Sequence, residues 1–201
     1  SASSASTWRP ASTRASSEMA TRVVLVGGGH AHALALRAWR ARDDVRLTLL
    51  SPAPKTPYSG MLPGHVAGHY AWADFHIDLP ALAASAGADF VADCATGLDL
   101  GAAHVHRAAG SALPFDLLSL DTGSTAEPPP LAGGEHVHPV KPLAPFLDAW
   151  DAFLAAGAER PALAVLGGGV GGIELALAMA HRLRALGRAP RLTLIERGAA
   201  I

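Results

Sequence analysis

The sequence predicts an α/β protein built on two copies of one strand–turn–helix–strand unit. The copies occupy residues 22–51 and 162–196. Each begins with a short apolar strand, turns at a run of three glycines and continues into a helix rich in Ala and Leu. The returning strands, at 47–50 and 192–195, differ at one position only. A repeated βαβ pattern is typical of a parallel sheet with helical crossovers.

The glycine turn of each copy predicts a site for a nucleotide phosphate. A parallel strand ends at the carboxyl edge of its sheet, and a tight turn there directs the first N–H groups of the helix outward. Those groups have no acceptor within the helix and carry the positive end of its dipole. A pyrophosphate satisfies both requirements. Two such turns predict a two-dinucleotide-binding, Rossmann-like fold.

The second copy contains every part of a dinucleotide fingerprint. Gly167, Gly169 and Gly172 follow the G-x-G-x-x-G pattern, and Glu196 ends the next strand 24 residues after Gly172. An acid at that place binds the ribose hydroxyls. The pattern predicts a site for NAD(P)H and favours NADH, because a carboxylate repels the 2′-phosphate of NADPH. Arg197 next to the acid keeps NADPH open.

The first copy departs from the fingerprint at two positions. Gly27 and Gly29 are present, but His32 stands at the third glycine position and Ser51 stands where the acid would be. These residues alone leave open a weaker nucleotide site or an ordinary turn without a ligand. Two placements of His32 are also open: packed beneath the turn against backbone, or in contact with a bound dinucleotide.

A third segment connects the first copy to a known family. An apolar strand at 116–120 runs into Asp121-Thr122-Gly123. Here the chain resembles the two-dinucleotide flavoproteins, or FAD-dependent pyridine nucleotide oxidoreductases. These carry a strand that ends in A-T-G between their FAD and NAD turns, and Asp121 replaces the alanine. The resemblance implies that the first turn binds FAD and that residues 121–123 return beside it.

Three further motifs resemble one branch of that family. They are GGGHAH at 27–32, TPYSGMLPG at 56–64 and HIDL at 76–79. The branch is the NADH-dehydrogenase-like flavoprotein domain found fused in front of selenide, water dikinase. The 56–64 loop is also similar to the loop of type II NADH dehydrogenases and sulfide:quinone oxidoreductases that lies near the flavin ring. The resemblance covers residues 22–201.

The resemblance implies two sets of cofactor-binding residues. FAD would be held by Gly27, Gly28, Gly29, His30, Ala31, His32, Ser51, Pro57, Tyr58, Ser59, Gly60, Asp121, Thr122 and Gly123. NAD(P)H would be held by Gly167, Gly169, Gly172 and Glu196. No catalytic acid–base pair is identified, which is no argument against an enzyme because a flavin supplies the redox chemistry itself. No metal site is predicted, because a metal needs three or four converging ligands and the sequence shows no such set.

The implied function is transfer of a hydride from NAD(P)H to FAD and onward to an acceptor such as a quinone. The alternative is a non-catalytic dinucleotide-binding module fused to selenide, water dikinase. The single cysteine, Cys94, excludes a two-cysteine redox mechanism within this segment. A net charge of −1 gives no field for nucleic acid. No apolar run reaches the roughly 18 residues of a transmembrane segment.

The predicted organisation has four parts. Residues 1–21, rich in Ser, Ala and Thr, form a disordered leader or a transit-like segment, which predicts a cytoplasmic or organellar protein. Residues 22–126 are the first part of an FAD-binding domain. Residues 127–159 are a linker and connecting helix, and 160–201 begin an NAD(P)-binding domain that is cut short. We therefore expect the N-terminal fragment of a longer chain.

Two expectations concern local structure in the first unit. Its helix is predicted over residues 31–42. The positions predicted to face the core are Leu34, Ala35, Ala38 and Trp39. Strands at 89–95, 103–107 and 115–120 are predicted to form a small β-meander inserted before the return to the first turn.

Overall fold

The computed structural model describes residues 20–127, 130 and 132–198. The strands are β1 Thr21–Val26, β2 Val45–Ser51, β3 Lys55–Pro57, β4 His76–Asp78, β5 Asp89–Ala92, β6 Ala95–Asp99, β7 His104–Arg107, β8 Leu113–Pro114, β9 Leu117–Leu120, β10 Ala162–Leu166 and β11 Arg191–Ile195. The helices are α1 His30–Ala38, α2 Leu62–Ala67, α3 Leu79–Ser85, α4 Leu143–Ala155 and α5 Val170–Ala185, with 3-10 turns at Ser59–Met61, Trp72–Phe75 and Gly134–His136.

A parallel sheet with the strand order β5-β2-β1-β9 forms the centre of the first unit. Residues 23–26 of β1 are all apolar and all buried, as expected of a strand that is covered on both faces. The predicted α/β class is confirmed. Since β2 and β9 lie on opposite sides of β1, the turn after β1 opens where the strand order reverses, which is where parallel sheets bind ligands.

The predicted meander is correct as an insertion but wrong in its membership. β5 pairs with β2 and β9 pairs with β1, both in parallel, so these strands belong to the central sheet. The antiparallel insertion consists of β6, β7 and β8. β5 suits the edge of this sheet because Phe90 packs against the buried cluster on one face and Val91 against the cluster on the other.

The predicted inward face of α1 is wrong. Leu34 is 51% exposed, and the buried residues of the helix are His32, Ala33 and Leu36. Ala35 and Ala38 are also exposed, whereas Trp39 is half-buried and packs against the core just after the helix ends. The buried face includes His32, a polar residue that was not among the predicted core positions and that the structure buries beneath the turn.

The second unit pairs β10 with β11 in parallel, and α5 connects the two strands. The inner face of α5 contributes Leu175, Met179 and Leu183 to a buried cluster. Val66 and Phe75 from the first unit lie in the same cluster, together with residues of α4. The two units therefore pack through helices, and their strands lie in separate sheets.

The leader predicted at residues 1–21 lies almost entirely outside the described part of the chain. Among the helices that the structure describes, none has the length and apolar character needed to span a bilayer.

An ion pair joins the segment before β9 to the start of β1. The carboxylate of Asp116 accepts the backbone N–H of Arg22 at 2.7 Å. It also accepts two guanidinium N–H groups of Arg22, at 2.7 and 3.0 Å. The guanidinium contacts, and then the backbone bond, hold the pKa of Asp116 at about 2, below its ordinary value of 3.8.

We expect this ion pair to make stability sensitive to acid. Because the folded-state pKa is depressed, the pair stabilises the protein above the unfolded pKa, and this contribution is lost as the pH falls from there towards the folded value. Asp116→Asn should lower the denaturant midpoint at neutral pH and flatten its decline between about pH 5 and about pH 2. Asp148→Asn, at an exposed carboxylate with no ion pair among the described residues, is the control. A decline as steep as that of the wild type in Asp116→Asn would contradict this account.

Candidate functional site

Backbone contacts with both neighbouring strands close the first turn. The N–H of Gly27 donates to the carbonyl of Leu50 at 2.8 Å, and the N–H of Gly29 donates to the carbonyl of Asp121 at 3.2 Å. The N–H of Asp121 donates to the carbonyl of Val26 at 2.8 Å. Gly27 has a φ of +99°, and a Cβ there would lie 2.2 Å from the Asp121 carbonyl oxygen. Only glycine fits at this crossing.

Helix α1 directs its first N–H groups to the same edge. The N–H groups of His30 and Ala31 have no intrahelical acceptor, and the described contacts supply none. The N–H of His32 donates to Oδ2 of Asp121 at 3.1 Å. That carboxylate occupies the space of a Cβ at Gly29, 2.3 Å from either oxygen. The start of the helix therefore offers two N–H donors, while the third is capped by an anion of the chain itself.

The side chain of His32 lies beneath the turn. It is 4% exposed, with Nδ1 2.7 Å from the Gly27 carbonyl oxygen and Nε2 2.9 Å from Oγ of Ser119. A carbonyl only accepts, so Nδ1 carries a proton and donates it. Both ring nitrogens are engaged within the protein. Of the two placements left open by the sequence, the structure shows the packed one.

His32 and the third glycine of the second turn occupy matching positions. A Cβ at Gly172 would lie 2.0 Å from the Gly167 carbonyl oxygen, so α5 lies directly against the end of its strand. In the first turn the imidazole of His32 bridges the helix to the matching carbonyl, that of Gly27. The absence of the third glycine therefore reflects a different contact between helix and strand, while the glycine turn before the helix is still present.

Ser51 lies at the end of β2, as predicted, but it faces inward. It is 5% exposed, and its hydroxyl donates to the carbonyl of Ala53 at 3.3 Å. A Cβ at Gly28 would lie 3.1 Å from this hydroxyl and 2.3 Å from Cδ1 of Leu79. Sequence reasoning missed this role of Leu79, and its only signal was the position of the residue in the 76–79 motif.

The loop after β2 folds back over the start of α1. Pro57 ends β3, and Ser59 and Gly60 lie in the 3-10 turn that follows. The ring of Tyr58 stacks on that of His30, with centroids 4.2 Å apart and planes 20° apart. A Cβ at Gly60 would lie 2.7 Å from the Tyr58 ring, so the glycine makes room for it. The loop therefore reaches the first turn through one aromatic contact.

The segment after β9 returns beside the first turn. A Cβ at Gly27 would lie 2.8 Å from Cα of Thr122. Gly123 has a φ of +79° and has no atom within 4 Å of the place of a Cβ. The contact with the turn is made by Asp121 and Thr122.

The backbone of the second turn is shaped like that of the first. Gly167 has a φ of +107°, and its N–H donates to the carbonyl of Ile195 at 2.8 Å. No atom lies within 4 Å of the place of a Cβ at Gly169 or Gly171. The turn is therefore open at these two glycines.

Glu196 lies at the second turn, just past β11. Its carboxylate accepts the N–H of Gly198 at 3.0 Å and the N–H of Gly168. The bond from Gly198, followed by those from Gly168 and Arg197, lowers the pKa of the carboxyl. The acid is therefore charged near neutral pH and lies against Gly168 of the second turn.

The predicted site residues thus fall into two groups, one at each turn. Within the described ranges no cluster of three or more His, Cys, Asp or Glu side chains is placed to hold a metal ion.

Residues 21–201 match the family model described as pyridine nucleotide-disulphide oxidoreductase. The chain belongs to the pyridine nucleotide-disulphide oxidoreductase family. Membership confirms the predicted cofactor class, FAD with NAD(P)H, and the description of the family agrees with the predicted oxidoreductase class. No curated protein matches this chain.

The solved structures that this chain resembles in fold include the three that follow. Sulfide:quinone oxidoreductase from Aquifex aeolicus has a TM-score of 0.68 at 23% identity, over 88% of this chain and 43% of that one. NADH:rubredoxin oxidoreductase from Clostridium acetobutylicum has a TM-score of 0.67 at 21% identity, over 88% of this chain and 45% of that one. NAD-dependent persulfide reductase from A. fulgidus has a TM-score of 0.71 at 23% identity, over 90% of this chain and 35% of that one. The chain spans less than half the length of each.

We expect Gly172→Ala to distort the second turn and Gly171→Ala to leave it intact. A Cβ at Gly172 would overlap the Gly167 carbonyl oxygen, and overpacking of this kind costs about 1–3 kcal/mol. A Cβ at Gly171 meets open space within α5, where alanine is favoured by up to about 1 kcal/mol. The unfolding free energy in urea should fall for the first variant and hold or rise for the second. Equal losses in both would contradict the close approach.

Proposed function

We propose that this chain forms the two dinucleotide sites of an FAD-dependent NAD(P)H oxidoreductase, with FAD at the first turn and NAD(P)H at the second. The observation that carries the proposal is the presence of two glycine turns, each at the carboxyl end of a parallel strand. The two turns contact different side chains, Asp121 and His32 at the first and Glu196 at the second. The bound flavin would take a hydride from NAD(P)H and pass electrons to an acceptor. In this arrangement residues 22–126 belong to the FAD-binding domain, and 127–159 lead to residues 160–201.

The backbone of the first turn is suited to binding a diphosphate. Helix α1 leaves the N–H groups of His30 and Ala31 without acceptors at its positive end. The turn at residues 27–29 carries no side chains that would keep a phosphate away. Tyr58 stacked on His30 adds a flat aromatic surface at the same edge, suited to the ring of a nucleotide. Ser51 supplies only a buried hydroxyl, so ribose binding on that side would be weak.

The second turn suits NADH. Gly172 allows the helix start to approach the strand end, and the turn is open at Gly167 and Gly169. The carboxylate of Glu196 would accept the ribose hydroxyls and repel a 2′-phosphate. Arg197 beside it is the residue through which NADPH would still be accepted.

A quinone acceptor and the branch fused to selenide, water dikinase complete the proposal. The branch is supported by the way its three motifs meet at one place. Leu79 of the third motif packs where a Cβ of Gly28 would lie, and Tyr58 of the second stacks on His30 of the first. The quinone is supported by the likeness of the 56–64 loop to that of quinone reductases.

The visible spectrum of the full-length protein tests this proposal. The protein is saturated with added FAD and then titrated with NADH in the absence of oxygen. We expect NADH to bleach the flavin absorbance in the presence of the protein and leave free FAD unchanged. The Gly172→Ala variant should require more NADH, because a Cβ there would overlap the Gly167 carbonyl oxygen of the turn. A protein that binds NADH without bleaching any flavin would contradict the proposal and favour a non-catalytic module.

A further inference from the structure

We infer that Asp121 is a built-in competitor of the cofactor diphosphate at the first turn. Its carboxylate holds a helix N–H that a diphosphate would otherwise accept, so the cofactor must displace it. The inference rests on the proposed FAD site and concerns how tightly that site holds its ligand.

The carboxylate lies where the phosphate would approach. Oδ2 of Asp121 accepts the N–H of His32 at 3.1 Å, at the start of α1. Cγ and both oxygens lie 2.2–2.3 Å from the place of a Cβ at Gly29, so the group rests directly on the backbone of the turn. The backbone of Asp121 is bonded to Gly29 and Val26. The main chain of Asp121 is therefore held beside the turn, and its carboxylate reaches the start of α1 from there.

No cationic side chain among the described residues forms an ion pair with Asp121. Its charge is balanced by the N-terminus of α1, the same feature that attracts a phosphate. A diphosphate at His30 and Ala31 would face a like charge one residue along the helix. The alanine that the resemblance places at this position would lack that charge.

Asp121 does not replace the missing ribose acid. In the second turn Glu196 arrives from β11, the strand that follows the fingerprint helix. The matching strand of the first unit is β2, which ends in Ser51. Asp121 arrives from β9, on the opposite side of β1. It therefore lies on the side away from the ribose and acts on the helix N-terminus.

This placement predicts opposite effects on the free and loaded protein. Without a cofactor, the carboxylate caps α1 and stabilises it, as side chains at helix starts do. With a cofactor, the same carboxylate opposes binding. Removing it should therefore destabilise the free protein and strengthen FAD binding, a combination that an ordinary structural residue does not produce.

The test compares Asp121→Ala and Asp121→Asn in the full-length protein. FAD affinity is measured by quenching of flavin fluorescence, and thermal unfolding is followed without FAD. We expect Asp121→Ala to lower the Kd for FAD about tenfold and to lower the Tm of the free protein. Asp121→Asn should lower the Kd with a smaller loss of Tm, because the amide oxygen still accepts the His32 N–H without a charge.

Asp78→Ala is the matched control. Asp78 caps α3 by accepting the N–H of Ala81 at 3.0 Å, so its loss should lower Tm and leave the Kd for FAD unchanged. If neither Asp121 variant lowers the Kd, the inference fails and the proposed function stands. If neither the wild type nor either variant binds FAD, both fail. Asp121→Asn decides the matter if Asp121→Ala does not fold.

Discussion

The end of β9 crosses the turn after β1 more closely than any side chain would allow, and the first unit depends on that crossing. Gly27 adopts a positive φ beneath the carbonyl of Asp121, and Gly29 leaves space for the carboxylate of the same residue. Backbone bonds from Asp121 to Val26 and Gly29 join strand end, turn and helix start. The free N–H groups of α1 are thereby held at the edge where the strand order reverses.

The two turns reach similar backbone shapes through different contacts. In the second, Gly172 brings the helix against the strand backbone to backbone. In the first, the ring of His32 lies between the helix and the Gly27 carbonyl, with Ser119 on its other side. The acids also lie on opposite sides, since one turn is approached from β11 and the other from β9. Two units of nearly the same pattern thus present different surfaces to a dinucleotide.

The sequence was sufficient to predict the α/β class and both turns, because glycine spacing and apolar strands are local signals. The return of residues 121–123 was predicted only through the family resemblance. The sequence predicted the inward face of α1 wrongly, since a buried His32 that bonds backbone cannot be distinguished from a surface polar residue by periodicity. The place of β5 in the parallel sheet and the packing of Leu79 under Gly28 depend on residues that are distant in the chain. Those partners are chosen by tertiary packing, which no local pattern encodes.

A crystal structure of the full-length protein with FAD and NADH tests the central claim, that the first turn binds the flavin against the opposition of Asp121. We predict the FAD diphosphate on the N–H groups at the start of α1, with the carboxylate of Asp121 moved away from His32, and the NADH ribose on Glu196. A flavin at the second turn, or a first turn that keeps the Asp121 bond and holds no nucleotide, would contradict it.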